Sequence, residues 1–561
     1  MLTPEEQFEL QRLEDEFSKC KIKPTYETQE CREEMLEMED GARLRTLIFR
    51  PVREGAVPTI VVRTCYPNND YLYRATAEEY CKRGFAYIYQ YCRGTGGSKG
   101  EWEPNVNERA DGKRTIDWIC SQDWVGNTGY CGCSYLSLTG WLIADILPDK
   151  VKTMYLTHYG AHRFVSAFKD GLFRHDVLTA WTMKNAGYPI TADYLTSCRF
   201  MPQVEVDEKL WGRKIDWYRK WITSTNESDE YWNTGFWKLL KDIPSRVKVP
   251  LYVGEGWYDH HLASALETWK SLSKECRDKS RLLIGAWEHG FNVKLEDRTG
   301  KHYENDDILR AFDWFWSFLV EENAPKAKID YYIIGDDSWF SRDTFEIDNQ
   351  KEVRFHLSEK AGGGYSLEKE NPSVQGKLEW VYDPADPVMT HGAESLLVTK
   401  EEQGSLRQPE PNYRKDVISC ISKPLEESLT VVGQMRVNLT VSTDVEDTAF
   451  AVKIMEVTED GRAYNMRTGI TTLGYRNGSR TRQTYQPNEK VQISIDTWDL
   501  AWKLQKGSRI RIDITSSDFP QYSIHSNYVG CWAKQDKIRI ANQTVYFGKE
   551  DDSYICLPVI S

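Results

Sequence analysis

An α/β core built on a parallel sheet, interrupted by a helical insertion and followed by an all-β domain, is the fold that the sequence predicts. Three observations predict it. Short apolar runs alternate with helical pattern through residues 1–157 and again through 246–345; that rhythm stops between 158 and 245; and after 345 helical periodicity gives way to alternating strands.

The first segment opens on a capped helix over 3–19, with Thr3 as N-cap, Pro4 at the first helical position and Glu6 completing a capping box. It is expected to decorate the surface. Apolar runs follow at Thr59–Arg63, Ala86–Tyr91, Tyr130–Cys133 and Thr153–Thr157, then at Leu251–Gly254, Leu282–Gly285 and Tyr331–Ile334. Runs of four to six residues rich in Val, Ile and Tyr, with helical pattern between them, indicate parallel strands covered on both faces. The stretch 158–245 is helical and aromatic, as in WGRKIDWYRKWITSTNESDEYW, and reads as a cap inserted over the carboxyl ends of the strands. From 346 to 561, alternating segments such as VRFHLSE, MRVNLTVST, FAVKIMEVTE, VQISIDTW and RIRIDITSSD predict an antiparallel β-sandwich of jelly-roll type.

The composition narrows the function classes. The chain has 561 residues and a formal charge of −13, without the basic patch that a nucleic acid or an anionic membrane surface needs, so neither partner is expected. No run approaches the roughly 18 unbroken apolar residues of a membrane span. The acidic, amphipathic start lacks the basic flank and apolar stretch of a secretory signal, so a cytoplasmic location is expected. Thirteen cysteines without regular spacing suggest free thiols. Small molecules are the expected partners, and the large cap and β-domain surfaces leave a homodimer open.

The stretch Tyr130-Cys131-Gly132-Cys133-Ser134-Tyr135 carries the chemistry. An apolar strand ends in Gly-x-Ser and runs into the helical pattern LSLTGWLIADIL, the context of a nucleophile elbow, whose strained turn exposes the serine hydroxyl. Leu136 replaces the second glycine of G-x-S-x-G, so the motif alone is imperfect. Elbow hydrolases place an acid and then a base downstream, each just beyond a strand. Asp259 follows LYVGEGWY and His289 follows RLLIGAWE. The ordered trio points to an α/β-hydrolase with Ser134 as nucleophile, Asp259 as orienting acid and His289 as general base. An oxyanion hole is then required, each donor being worth roughly 3 to 4 kcal/mol. The Tyr135 amide and the Tyr66 hydroxyl, in the loop after Thr59–Arg63, are the candidate donors. Trp181 in the cap and Trp257 beside the acid are candidate pocket residues. Glu255 and Glu288 read as solvated loop charges or, more sharply, as groups that bind the ammonium of a substrate with a free N-terminus.

Further landmarks lie in order along the chain: Tyr66-Pro67, Arg93 to Trp102, Asp117-Trp118-Ile119, Gly132-x-Ser134-Tyr135, Gly256 to Asp259, Gly285-x-Trp287-x-His289, Tyr382 to Val388 and Ser516 to Pro520. In these the chain resembles the superfamily of X-prolyl dipeptidyl-peptidases, cocaine esterases and α-amino-acid ester hydrolases, the CocE/NonD hydrolases. The resemblance implies a hydrolase core, a helical cap and a jelly-roll domain, with Ser134, Asp259 and His289 as triad and Tyr66 beside the Tyr135 amide in the oxyanion hole. Ser137 and Ala286 depart mildly from the family pattern. A serine hydrolase of small ester or amide substrates is the expected function; the alternatives are an X-prolyl dipeptidyl-peptidase, an α-amino-acid ester hydrolase or acyltransferase, and a binding protein on a hydrolase scaffold.

Other signals are set aside. Gly94 to Gly100 lacks the order of a phosphate loop and reads as a tight turn. His260-His261, and His158 with His162, invite a metal reading, but no H-E-x-x-H occurs and Cys131-x-Cys133 falls within a strand, so neither a metal nor another cofactor is expected.

Overall fold

The computed structural model describes residues 2–295, 304–344, 350–394 and 396–560. A ten-stranded sheet forms the core. Its strands are β1 (Arg32–Glu37), β2 (Arg43–Phe49), β3 (Val57–Thr64), β4 (Ala86–Tyr91), β5 (Val125–Cys133) and β6 (Val151–Thr157). After a small hairpin in the cap, β7 (Phe168–Lys169) and β8 (Leu172–Phe173), the sheet resumes with β9 (Leu251–Gly256), β10 (Arg281–Gly285), β11 (Lys328–Ile333) and β12 (Ser338–Arg342). The order across it is β1-β2-β4-β3-β5-β6-β9-β10-β11-β12.

The strands from β4 to β11 pair in parallel, as their apolar runs predict, whereas β1, β2 and β12 join antiparallel at the two edges. Apolar pattern missed these three. The sequences of β1 and β12, REEMLE and SWFSR, are charged or exposed because an edge strand has one unpaired side to keep from other chains. Side chains alternate between two cores: Ile60 and Val62 pack under one helical layer, and Val61 under the other.

The amino-terminal helix α1 (Pro4–Ser18) has the predicted capping box but is no ornament. Phe17 sets its ring against Tyr80 of α2 (Asp70–Lys82) and Phe312 of the helix Asp307–Leu319, and the buried Glu16 accepts a hydrogen bond from the Leu309 amide. Helices α3 (Glu108–Ser121) and α4 (Tyr135–Trp141) cover the opposite face.

The cap runs as short helices between His158 and Arg246. The β-domain spans strands from Lys351–Glu359 to Tyr554–Ile560, and its long strand Leu429–Thr443 pairs antiparallel with three others. One pair, Tyr365–Glu368 with Ile418–Ser422, is parallel where an antiparallel sandwich is expected. The expected division at 345–346 lies outside the described residues. Buried ion pairs and a hydrogen bond stitch the three regions together: Arg174 of the cap pairs with Asp176 and Glu394, and Arg467 of the β-domain pairs with Glu394 and donates to the Trp257 carbonyl of the core. All thirteen cysteines are free thiols. Among the described residues no helix is long and apolar enough to cross a membrane.

Candidate active site

Five neighbouring strands of the sheet, β3, β5, β6, β9 and β10, each end in a loop that delivers one polar side chain: Tyr66, Ser134, His158, Asp259 and His289. Parallel pairing puts all five carboxyl ends on one edge. The chain departs in opposite directions from β3, toward β4 on one side and β5 on the other, so the site lies at the switch point where open α/β sheets bind ligands.

Ser134 occupies the turn between β5 and α4 with φ 58° and ψ −126°, a conformation that a side-chain-bearing residue adopts only at a cost of about 1–3 kcal/mol. Close packing explains the glycine before it. A Cβ on Gly132 would stand 2.3 Å from the Leu136 carbonyl oxygen. Leu136 is tolerated at the second glycine position, and Ser137 is put to use: its buried hydroxyl lies 2.7 Å from both the Gly132 and the Thr157 carbonyls, tying α4 to β5 and β6. Tyr135 is held from below. Its phenol accepts from the Asn105 amide at 2.8 Å and donates to Glu108 at 3.1 Å, and Glu108 pairs with the buried Arg63 at 3.0 Å.

Ser134 Oγ lies 2.8 Å from His289 Nε2, and His289 Nδ1 lies 2.9 Å from Asp259 Oδ2. Asp259 is fully buried, and its other oxygen accepts from the His261 amide at 2.7 Å. Burial works to raise its pKa, but the charges of His289 and His260 and the hydrogen bonds from His158 and His289 hold it well below the usual carboxylate range. Burial likewise opposes charge on His289, and the Asp259 charge and hydrogen bond outweigh it, so this pKa is raised. An ionised carboxylate thus holds an imidazole whose Nδ1 carries the proton and whose Nε2 faces the serine.

His158 is the residue that sequence reasoning passed over. Its Nδ1 lies 2.6 Å from the same Asp259 oxygen that His289 uses, so one carboxylate oxygen serves two imidazoles. The signal was present: His158 directly follows the apolar run of β6, as Asp259 and His289 follow theirs, but it was weighed only as a metal ligand. Among the described residues His158, Asp259 and His289 are the one set whose ligand atoms lie within 4.8 Å of one another. They could hold a cation only by giving up the hydrogen bonds that join them.

Three expected pocket residues are placed elsewhere. Glu255 belongs to β9, fully buried beneath Asp259; burial and then the Asp259 charge push its pKa well above the carboxylate range, so it is neutral and unsolvated. Glu288 is 9% exposed and does not line the cavity. Trp257 packs in the core with its indole N–H on the Tyr332 carbonyl at 2.7 Å. The loop carrying Asp259 needs that anchoring, and Tyr258 adds to it by donating to the Met466 carbonyl of the β-domain at 3.2 Å.

The cavity above Ser134 measures about 670 Å³. Tyr66, Tyr135, Trp181 and His289 line it, with Leu397 as the β-domain's contribution. Trp181 stacks on Tyr135 with planes 11° apart and donates its indole N–H to the Tyr66 oxygen at 2.9 Å. Accepting that bond directs the phenol's own proton elsewhere. Burial, then the nearby Cys65, raise the Tyr66 pKa well above its ordinary value and keep that proton in place. The Tyr135 amide, at the first position of α4, has no intrahelical acceptor and is free for a ligand oxygen.

Residues 40–291 match the model of the X-Pro dipeptidyl-peptidase (S15 family), and residues 321–556 match that of the X-Pro dipeptidyl-peptidase C-terminal non-catalytic domain. The chain is a serine hydrolase acting on ester or amide bonds. It is 27% identical over 566 residues to cocaine esterase from Rhodococcus sp. (strain MB1 Bresler), a match that covers 94% of this chain and 98% of that protein. The fold is shared with an aminopeptidase from a marine sediment Thaumarchaeota archaeon (TM-score 0.80, 20% identity, 96% and 97% of the two chains covered). It is shared equally with an α-amino acid ester hydrolase (TM-score 0.81, 21% identity, 95% and 97% covered). By these matches the chain is a relative of the X-Pro dipeptidyl-peptidases (S15 family) and of cocaine esterase.

Proposed function

We propose that Ser134, His289 and Asp259 hydrolyse small esters and amides through an acyl-enzyme, with the Tyr66 hydroxyl and the Tyr135 amide as oxyanion hole. The observation that carries this reading is the unbroken hydrogen-bonded chain that begins with Ser134 at the floor of the cavity and runs through His289 to the buried Asp259. His289 Nε2 takes the Ser134 proton as Oγ attacks the carbonyl carbon, and the oxyanion is met by the two donors. His289 then protonates the departing oxygen or nitrogen. Water, activated by the same imidazole, releases the acyl group. Asp259 keeps the imidazole in the productive tautomer and balances its charge when protonated. A fluorophosphonate probe should label the protein at Ser134, and Ser134→Ala should abolish both labelling and ester turnover. Labelling that persists in this variant, or none in folded wild-type protein, would exclude Ser134 as nucleophile.

A further inference from the structure

Arginine pairing separates the cavity from the rest of the molecule. Six arginines are buried among the described residues: Arg63, Arg83, Arg163, Arg174, Arg467 and Arg511. Five of them hold a carboxylate, in the pairs with Glu108, Glu79, Asp176, Glu394 and Asp513. This is the ordinary rule, because a buried charge left unpaired costs several kcal/mol, by an order-of-magnitude reckoning. Arg163 is the exception. It is 9% exposed and lines the cavity, and among the described residues no carboxylate pairs with it. Among the described residues the one polar partner of its guanidinium is the Ser166 hydroxyl at a long 3.4 Å, and the guanidinium lies over the rings of Tyr159 at 5.8 Å and Trp221 at 5.5 Å.

Both rings lead back to the reacting atoms. Tyr159 packs on His261 at 4.4 Å and His261 lies 5.9 Å from His289, while Trp221 packs on Trp181 at 6.0 Å, the residue that donates to Tyr66. The rest of the wall agrees in sign. Lys184 is the other formally charged lining residue, and no aspartate or glutamate lines the cavity among the described residues. A chain of formal charge −13 therefore presents a cationic interior to its substrate. Glu255 and Glu288, the carboxylates that ammonium recognition would call on, lie outside the lining.

We infer that the substrate carries a carboxylate and that Arg163, clamped between two aromatic faces, binds it. A planar guanidinium presents two parallel donors to a carboxylate, and the aromatic walls fix its orientation in a site of low polarity. This inference rests on the hydrolase reading above and specifies its substrate class as acidic esters or amides.

Two matched pairs of esters test it. The first compares mono-p-nitrophenyl glutarate with its methyl-capped diester, placing the carboxylate on the acyl half. The second compares the butyrate ester of 4-hydroxybenzoate with that of methyl 4-hydroxybenzoate, placing it on the leaving half. At least one acidic probe should exceed its neutral partner in kcat/KM by on the order of tenfold or more, through KM. Arg163→Gln should bring that ratio near one, with Arg163→Lys in between. Should the variants not fold, free glutarate should compete with the neutral ester on the wild-type protein while glutaramide does not. Neutral probes preferred in both pairs, an acid preference that survives Arg163→Gln, or no competition by glutarate would overturn the inference. Turnover without acid preference sinks the substrate class alone, whereas no turnover together with no fluorophosphonate labelling sinks the hydrolase reading with it.

Discussion

The floor and the roof of the cavity are held by different forces. The floor is five strand ends, where backbone pairing sets the positions and short polar hydrogen bonds, 2.6 to 2.9 Å around Asp259 and His289, fix individual atoms. The roof is a wall of indoles, Trp102, Trp181 and Trp221, backed by Trp217 behind the lining, with ring centroids of neighbouring indoles 5.1 to 6.5 Å apart. Hydrogen bonds lose most of their value within a few tenths of an ångström, whereas ring packing tolerates sliding. The floor is accordingly suited to chemistry and the roof to shaping a substrate. Among the described residues one polar contact crosses between them, from the Trp181 indole to Tyr66.

Breaking the floor should have the largest effect. Asp259→Asn keeps the shape but removes the charge and favours the wrong imidazole tautomer, and kcat should fall by roughly 10⁴-fold. The pH profile separates this cause from mere disorder. In the proposed mechanism His289 works as a base only when neutral, and its pKa is raised above the ordinary 6.5 because the Asp259 charge outweighs burial. Wild-type activity should therefore appear as pH rises through a midpoint above 6.5. Without that charge burial dominates and depresses the pKa, so the acid limb of the residual activity should move to lower pH. A limb that stays in place would show that Asp259 does not set the state of the base.

Where floor meets roof the effect should be intermediate. Tyr66→Phe removes one of the two proposed oxyanion donors and leaves the Tyr135 amide, so kcat should drop by about 10²- to 10³-fold with KM little changed. Single-turnover acylation measures this directly. An unchanged acylation rate would take Tyr66 out of the oxyanion hole and reduce it to turn packing.

The same contrast decides how much of the molecule the sequence made legible. The floor was readable because each of its parts leaves a local mark: an apolar run for a strand, Gly-x-Ser for the turn, and an acid and a histidine just past later runs. Parallel pairing then brings those marks to one edge. What lies beneath and above them depends on neighbours distant in sequence. Glu255 reads as a loop charge four residues before Asp259, and only the placement of β9 in the middle of the sheet makes it a buried neutral group. Arg163 is one of several basic residues in the cap text, and nothing local says that it alone of the buried arginines lacks a carboxylate. The edge strands β1 and β12 were missed for the opposite reason, since their exposed side chains erase the apolar mark of a strand. His158 bears the floor's own mark and was overlooked because a triad needs only one histidine.

Trp181→Phe should give the smallest effect, and it sharpens the comparison most. Phenylalanine keeps an aromatic face against Tyr135 but loses the N–H that reaches Tyr66, so the roof retains its packing while its single polar link to the floor is cut. A neutral hydrogen bond is worth about 0.5–1.5 kcal/mol net, which corresponds to a loss of about 2- to 13-fold in acylation rate. The loss should vanish when the change is made on top of Tyr66→Phe, because the oxygen that accepted the bond is then gone. Losses that simply multiply in the double variant would mean that Trp181 acts through the shape of the cavity, and that the roof touches the chemistry by packing alone.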